Sequence, residues 1–192
     1  VPPAFTPASV VGSVGVVEGP GHGATRAAVT ALTDWPLVVV GSSRGGWQAL
    51  LLARACPERI AGMVGIAAAP DFTEDGYWAN FTDSQKRQLG EAGQVELPSD
   101  YMEPYVITKR MIEDGRQRLV LRDPLDLPFP VRLLQGTADT AVTTATAVRL
   151  LEPATSHDLH LPLVQDADPR FPEQRRLALQ VHAIDGVKPA ST

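Results

Sequence analysis

Apolar residues along this chain gather in short runs closed by glycine or proline, and these alternate with stretches where apolar positions recur every three or four residues. Leu37-Val38-Val39-Val40 is a β-branched run between Pro36 and Gly41, the pattern of a strand buried on both faces of a parallel sheet. The run stops in Gly41-Ser42-Ser43-Arg44-Gly45-Gly46. Trp47 to Arg54 are then mostly good helix formers, and Pro57 follows soon after, as expected past a helix end. Ile60 to Ala69 is apolar again and closed by Pro70, which reads as a second buried strand. Together these segments predict a strand-helix-strand unit.

From Asp71 to about Leu127 the pattern changes. Tyr77, Trp78, Phe81, Tyr101 and Tyr105 stand among charges, Gly and Pro, strand-like runs are few, and the segment reads as an insertion rather than sheet. Apolar spacing inside it predicts helices at Asp83–Glu91 and Ile107–Leu119. The alternation then resumes, with a strand at Val131–Leu134, a helix at Thr143–Leu151, a strand at Leu159–Val164 and a helix at Pro172–Ile184. Pro162 removes a ladder donor and so makes the last strand an edge or a distorted one. Before Pro36 there is room for one strand, at Val10–Val17, a turn through Gly19–Gly23, and one helix from about Thr25 to Leu32. Alternating elements of this kind predict an α/β fold, a mostly parallel sheet with helices on both faces, whose ligands bind at the carboxyl ends of the strands.

Length and composition narrow this further. The chain has 192 residues, 44% hydrophobic and 20% charged, which fits one globular domain over 1–192. Seventeen Lys and Arg against 22 Asp and Glu leave a net charge of −5 with no basic run, so nucleic acid is not an expected partner. Cys56 is the only cysteine, which excludes an intramolecular disulfide and a thiolate zinc site. The longest apolar stretch, Ile60–Pro70, is about half the ~20 residues that cross a bilayer. Val1-Pro2-Pro3-Ala4-Phe5 has neither a basic nor a long apolar region, so no signal peptide is read and the expected location is cytoplasmic. Asp166 and Asp168 share a loop without further ligand residues and read as a turn, so no metal and no cofactor is expected.

Two positions carry candidate chemistry. Gly41-Ser42-Ser43-Arg44-Gly45 matches G-x-S-x-G in its required context, a strand before and a helix after. Flanking glycines suit a sharp turn that pushes the Ser43 oxygen out over the sheet edge, beside the N–H groups of a helix start, one of them from Arg44. The plainer alternative is a glycine-rich turn with Ser42 or Ser43 as helix cap. A nucleophilic serine needs a base and an acid to orient it. Asp139, in Leu133-Leu134-Gln135-Gly136-Thr137-Ala138-Asp139, follows a strand on the same edge, although a carboxylate there also suits the start of the next helix.

Residues Val38 to Pro70 and the run Gln135 to Val142 resemble the α/β-hydrolase superfamily. Within it the chain is similar to bacterial relatives of acyl-protein thioesterases and acyl-glucuronide esterases. Gly41-Ser42-Ser43 with Gly45-Gly46-Trp47, Ala67-Ala68-Ala69-Pro70-Asp71-Phe72-Thr73-Glu74, and Val95-Glu96-Leu97-Pro98-Ser99 carry that likeness. It implies a serine hydrolase for small-molecule carboxylic esters or thioesters, with Ser43 as nucleophile, Asp139 as acid and a lid at about 71–127. Two departures stand out. Relatives carry a histidine after the last strand, where this chain has Asp166-Ala167-Asp168-Pro169-Arg170-Phe171, with Pro169 at the histidine position. Relatives also place several strands and an oxyanion loop before the nucleophile strand, more than 36 residues hold. Of the four histidines, His157 begins the last strand at the opposite sheet edge, His160 lies within that strand and His182 in a helix, while the resemblance puts the Gly21-His22-Gly23 turn on the catalytic side of the sheet and makes His22 the candidate base. The alternative function is a catalytically silent domain of this fold that binds an acyl or aromatic ligand or a protein partner.

Overall fold

A computed structural model of the chain describes residues 36–98, 104–167 and 173–188. The strand, turn and helix expected before Pro36, His22 and Pro169 lie outside the described residues.

The main sheet is parallel throughout its described strands. β1 (Leu37–Ser42) pairs with β2 (Ile60–Ile66), β2 with β6 (Val131–Gly136), and β6 with β8 (Leu159–His160) and β9 (Leu163–Val164). β8 and β9 form one strand interrupted at Leu161-Pro162, with the register to β6 unbroken across the gap. Pro162 has no N–H to give, but its carbonyl accepts from Gln135 N at 3.1 Å, so the strand survives as the distorted edge its proline predicts.

Side-chain alternation divides the sheet. Val38 and Val40 of β1, Val64 and Ile66 of β2 and Leu134 of β6 cluster with Leu179, Ala183 and Ile184 of the C-terminal helix Glu173–Asp185 and with Val187. The helix after β1, α1 (Arg44–Ala55), packs against β1 and β2 and buries Trp47, Ala49, Leu50, Leu51, Leu52 and Ala53. A 3-10 turn, Pro57–Arg59, leads from α1 into β2.

Residues Asp71–Val120 form a compact unit of their own. It opens on a π-helix, Phe72–Trp78, continues through α2 (Asp83–Ala92), and contains an antiparallel hairpin of β3 (Gln94–Leu97) and β4 (Tyr105–Thr108) before α3 (Lys109–Arg116). The helix expected from Ile107 therefore begins later. Val106 and Ile107 are β-branched and pair with Glu96 and Val95, and Thr108 caps α3 by accepting from Met111 N at 3.1 Å. Phe81, Leu89, Val95, Ile107 and Ile112 make the core, with Tyr77 and Trp78 packed on it. The side chain of the first residue closes the unit on the last, Asp71 Oδ1 accepting from Val120 N at 2.8 Å. Lys109 and Arg110 lie exposed and face Glu113 and Asp114 one turn on.

The remaining elements belong with the main sheet: β5 (Leu125–Asp126) pairs in parallel with β7 (Ala154–Thr155), α4 spans Thr144–Arg149, and α5 is the helix Glu173–Asp185. Arg132, on β6, ties three of these segments at the amino edge. Its guanidinium donates to both carboxylate oxygens of Asp158 at 2.9 and 3.1 Å and to the Gly186 carbonyl at 3.0 Å. That hydrogen bond, joined by the charges of Arg132, His160 and His157, holds the Asp158 carboxyl below its ordinary range although desolvation opposes it. A folded-state pKa below the unfolded one makes this contribution present above the unfolded value and lost as pH falls through the folded value. Between about pH 5 and pH 2 the urea midpoint of the parent should therefore fall more steeply than that of Asp158→Asn. Parallel pH curves for the two proteins would remove the role assigned to this pair.

Candidate active site

Because the strands are parallel, their carboxyl ends share one edge, and the loops leaving β1, β2, β6 and β9 all start there. Ser43 follows β1 directly and has φ 51° and ψ −120°, a conformation non-glycine residues rarely adopt and that costs on the order of 1–3 kcal/mol. Backbone hydrogen bonds hold it there. Its N–H donates to Ile66 O at 2.9 Å, and its carbonyl accepts from Gly46 N at 3.0 Å and Ala69 N at 3.1 Å. Ser43 stands at the N-cap of α1, yet its side chain makes no capping hydrogen bond and is exposed. Arg44 is the first residue of that helix.

The glycines flanking this turn are unequal. A Cβ on Gly41 would overlap the Gly45 carbonyl and lie 2.7 Å from Gly46 N, and one on Gly46 would lie 2.8 Å from Ala68 Cα. A Cβ on Gly45 would meet nothing within 4 Å. The close approach expected at Gly41 and Gly45 therefore falls on Gly41 and Gly46. β2 also ends earlier than its apolar run, at Ile66, because Ala67 turns to φ 44°. Ala67 N donates to Leu134 O at 2.8 Å, while Ala69 N reaches back to Ser43, so this loop wraps the elbow instead of extending the strand.

Asp139 lies three residues beyond β6 and is 6% exposed. Its Oδ1 accepts from Ala141 N at 2.9 Å and Val142 N at 2.8 Å. It does not cap α4, because Thr143 takes that place by accepting from Thr146 N. β1 and β6 are two strand spacings apart, so Ser43 and Asp139 leave the same edge from strands roughly 10 Å apart. The loop beyond β9 joins them there: Ala138 N donates to Ala167 O at 3.1 Å, and Asp166 N donates to Thr137 Oγ1 at 2.9 Å. Asp166 itself sits in a left-handed turn, φ 56°.

The remaining described histidines lie elsewhere. His157 and His160 stand at the start of the strand paired with β6, hence at the amino edge, and His160 Nε2 is 3.2 Å from Asp158. His182 is exposed on α5. The motifs in the sequence did not single out Gln135, which is 1% exposed, donates from Nε2 to Gly136 O and Val142 O, and so bonds the same residue, Val142, as Asp139 does. The signal was present, since an amide directly after Leu133-Leu134 at the end of a strand read as buried is a polar group placed where apolar ones are usual. Among the described residues, no helix is long and apolar enough to cross a membrane.

No family model matches the chain. Among curated proteins it is similar to palmitoyl-protein thioesterase ABHD10, mitochondrial, of Bos taurus, at 31% identity over 159 residues, which are 80% of this chain and 51% of that protein. The chain thus spans about half the length of the curated relatives it matches. Among solved structures it is similar to a protein of Agrobacterium vitis S4 described only as a hydrolase, with TM-score 0.79 and 34% identity over 85% of this chain and 66% of that one. It is also similar to mouse alpha/beta hydrolase domain-containing protein 10, with TM-score 0.76 and 26% identity over the same shares, 85% and 66%. These relatives correct one expectation: the curated proteins are named mitochondrial, so the cytoplasmic location read from the amino terminus does not stand.

Proposed function

The chain belongs to the α/β-hydrolase superfamily, and from that premise we propose that it is a serine hydrolase cleaving carboxylic esters or thioesters through an acyl-enzyme on Ser43. The observation that carries this reading is the backbone of Ser43, strained at a helix start while its hydroxyl is left out of capping. Ser43 Oγ attacks the acyl carbon and passes its proton to a base, which returns it to the departing alcohol or thiol. The Arg44 N–H holds the tetrahedral oxyanion, and water then releases the acid. Asp139 orients the base. His22 is the histidine of this chain assigned to that role, and His22→Ala tests it. The insertion after β2 is assigned the part of a lid, and the name of the curated relatives favours a thioester with a long acyl chain.

A second reading, a silent binding domain, draws on Pro169, which has no proton to exchange. A fluorophosphonate probe separates the two. The parent should be labelled and Ser43→Ala should not, since the probe reacts only with an activated serine. An unlabelled parent that hydrolyses p-nitrophenyl butyrate no faster than Ser43→Ala would overturn the hydrolase reading.

A further inference from the structure

We propose that Gln135 is a positioning residue for the reaction, acting through Asp139; this rests on the hydrolase reading above. The loop from Gly136 to Val142 is closed by two side chains on a single residue. Gln135 Nε2 donates to the Val142 carbonyl at 2.7 Å, and Asp139 Oδ1 accepts from the Val142 N–H at 2.8 Å. The Gln135 amide also donates to Gly136 O at 3.1 Å, so one buried group holds both ends of the loop that carries the acid.

Both carbonyls face the same end of the amide, which fixes that end as the NH2. The other end, Oε1, is buried without a hydrogen-bond partner. An unpaired buried acceptor subtracts from stability, and an apolar side chain of similar volume would avoid it. Loop geometry accounts for the amide better than stability does. With Oδ1 spent on Ala141 and Val142, the direction of the Asp139 carboxylate follows the position of Val142, and that position is set by Gln135. The effect reaches the neighbouring loop as well, because Ala138 is bonded to Ala167, two residues before position 169.

The test is a cycle of Gln135→Met and Asp139→Asn on p-nitrophenyl butyrate hydrolysis, with melting temperature measured alongside. Gln135→Met should lower kcat by about 100-fold, the order expected when a catalytic group is misplaced by roughly 1 Å, with KM little changed. It should cost nothing further in Asp139→Asn, because its effect passes through that carboxylate. Gln135→Glu keeps the volume and serves if the methionine variant does not fold. As a carboxylate it meets two carbonyls and should be as slow, and its rate relative to the parent should rise at low pH, where the protonated acid donates again. A folded Gln135→Met with the kcat of the parent, or an equal loss in Asp139→Asn, would overturn the proposal. A parent no faster than Ser43→Ala would instead bring down the hydrolase reading itself.

Discussion

Where His22→Ala leaves the rate of the parent unchanged, Pro169→His is expected to raise p-nitrophenyl butyrate hydrolysis by about 100- to 10,000-fold, the usual contribution of a positioned general base. The described residues just before this position favour the gain. Residue 169 lies two residues past Ala167, whose carbonyl is bonded to Ala138 N, the residue before Asp139. The relatives' histidine falls there by resemblance, so Pro169→His restores the residue type that the resemblance pairs with Ser43 and Asp139. Triad members act as a unit, so Ser43→Ala in the Pro169→His background should return the rate to that of the parent or below. His22→Ala decides the competing source of the base. If that variant abolishes activity in the parent, the base is at residue 22 and Pro169→His should bring no gain. A folded Pro169→His with no gain, in a parent indifferent to His22→Ala, would show that the edge cannot assemble a triad.

The second large effect is on stability. Gly41→Ala should destabilise the chain by about 3 kcal/mol, at the upper end for forcing atoms into a packed site. In a protein of this size that lowers the melting temperature by roughly 6–12 °C. The added carbon has nowhere to go, since the Gly45 carbonyl and Gly46 N are backbone atoms held by the elbow's own hydrogen bonds. Gly45→Ala is the contrast. It adds a Cβ in open space inside a helix, so stability should stay level or rise by up to about 1 kcal/mol of helix propensity, which raises the melting temperature by at most roughly 2–4 °C. If the two variants melted alike, the distinction between these glycines would be wrong.

Much of the sheet is legible in the amino-acid pattern. The runs at Leu37, Ile60 and Val131 are β1, β2 and β6, and Pro162 breaks the edge strand where its missing N–H requires. Within the insertion, Asp83 to Glu91 follows its periodicity, and Thr82 and Gln85 supply the capping box that starts it. The hairpin of β3 and β4 is hidden because each strand is only four residues long and its partner lies across a loop. The π-helix at Phe72–Trp78 has no signal of its own either, and its Tyr77 and Trp78 pack on the insertion's core.

The order of residues was enough to set the strand, turn and helix around Ser43, because each depends on neighbours in the chain: β-branched residues before the turn, small residues in it, helix formers after. It was enough, too, to put Asp139 on the same edge, since parallel strands all end on one side. Folding settled what depends on distant backbone. Gly46 rather than Gly45 is the second close approach because Ala68 arrives from the loop after β2, and that loop turns at Ala67 to bring Ala69 N onto the Ser43 carbonyl. Gln135 reaches across the loop that carries Asp139 because Val142, seven residues away, turns its carbonyl back to it. A single chain position cannot announce such contacts, since they form between segments whose spacing is set only when the sheet is assembled.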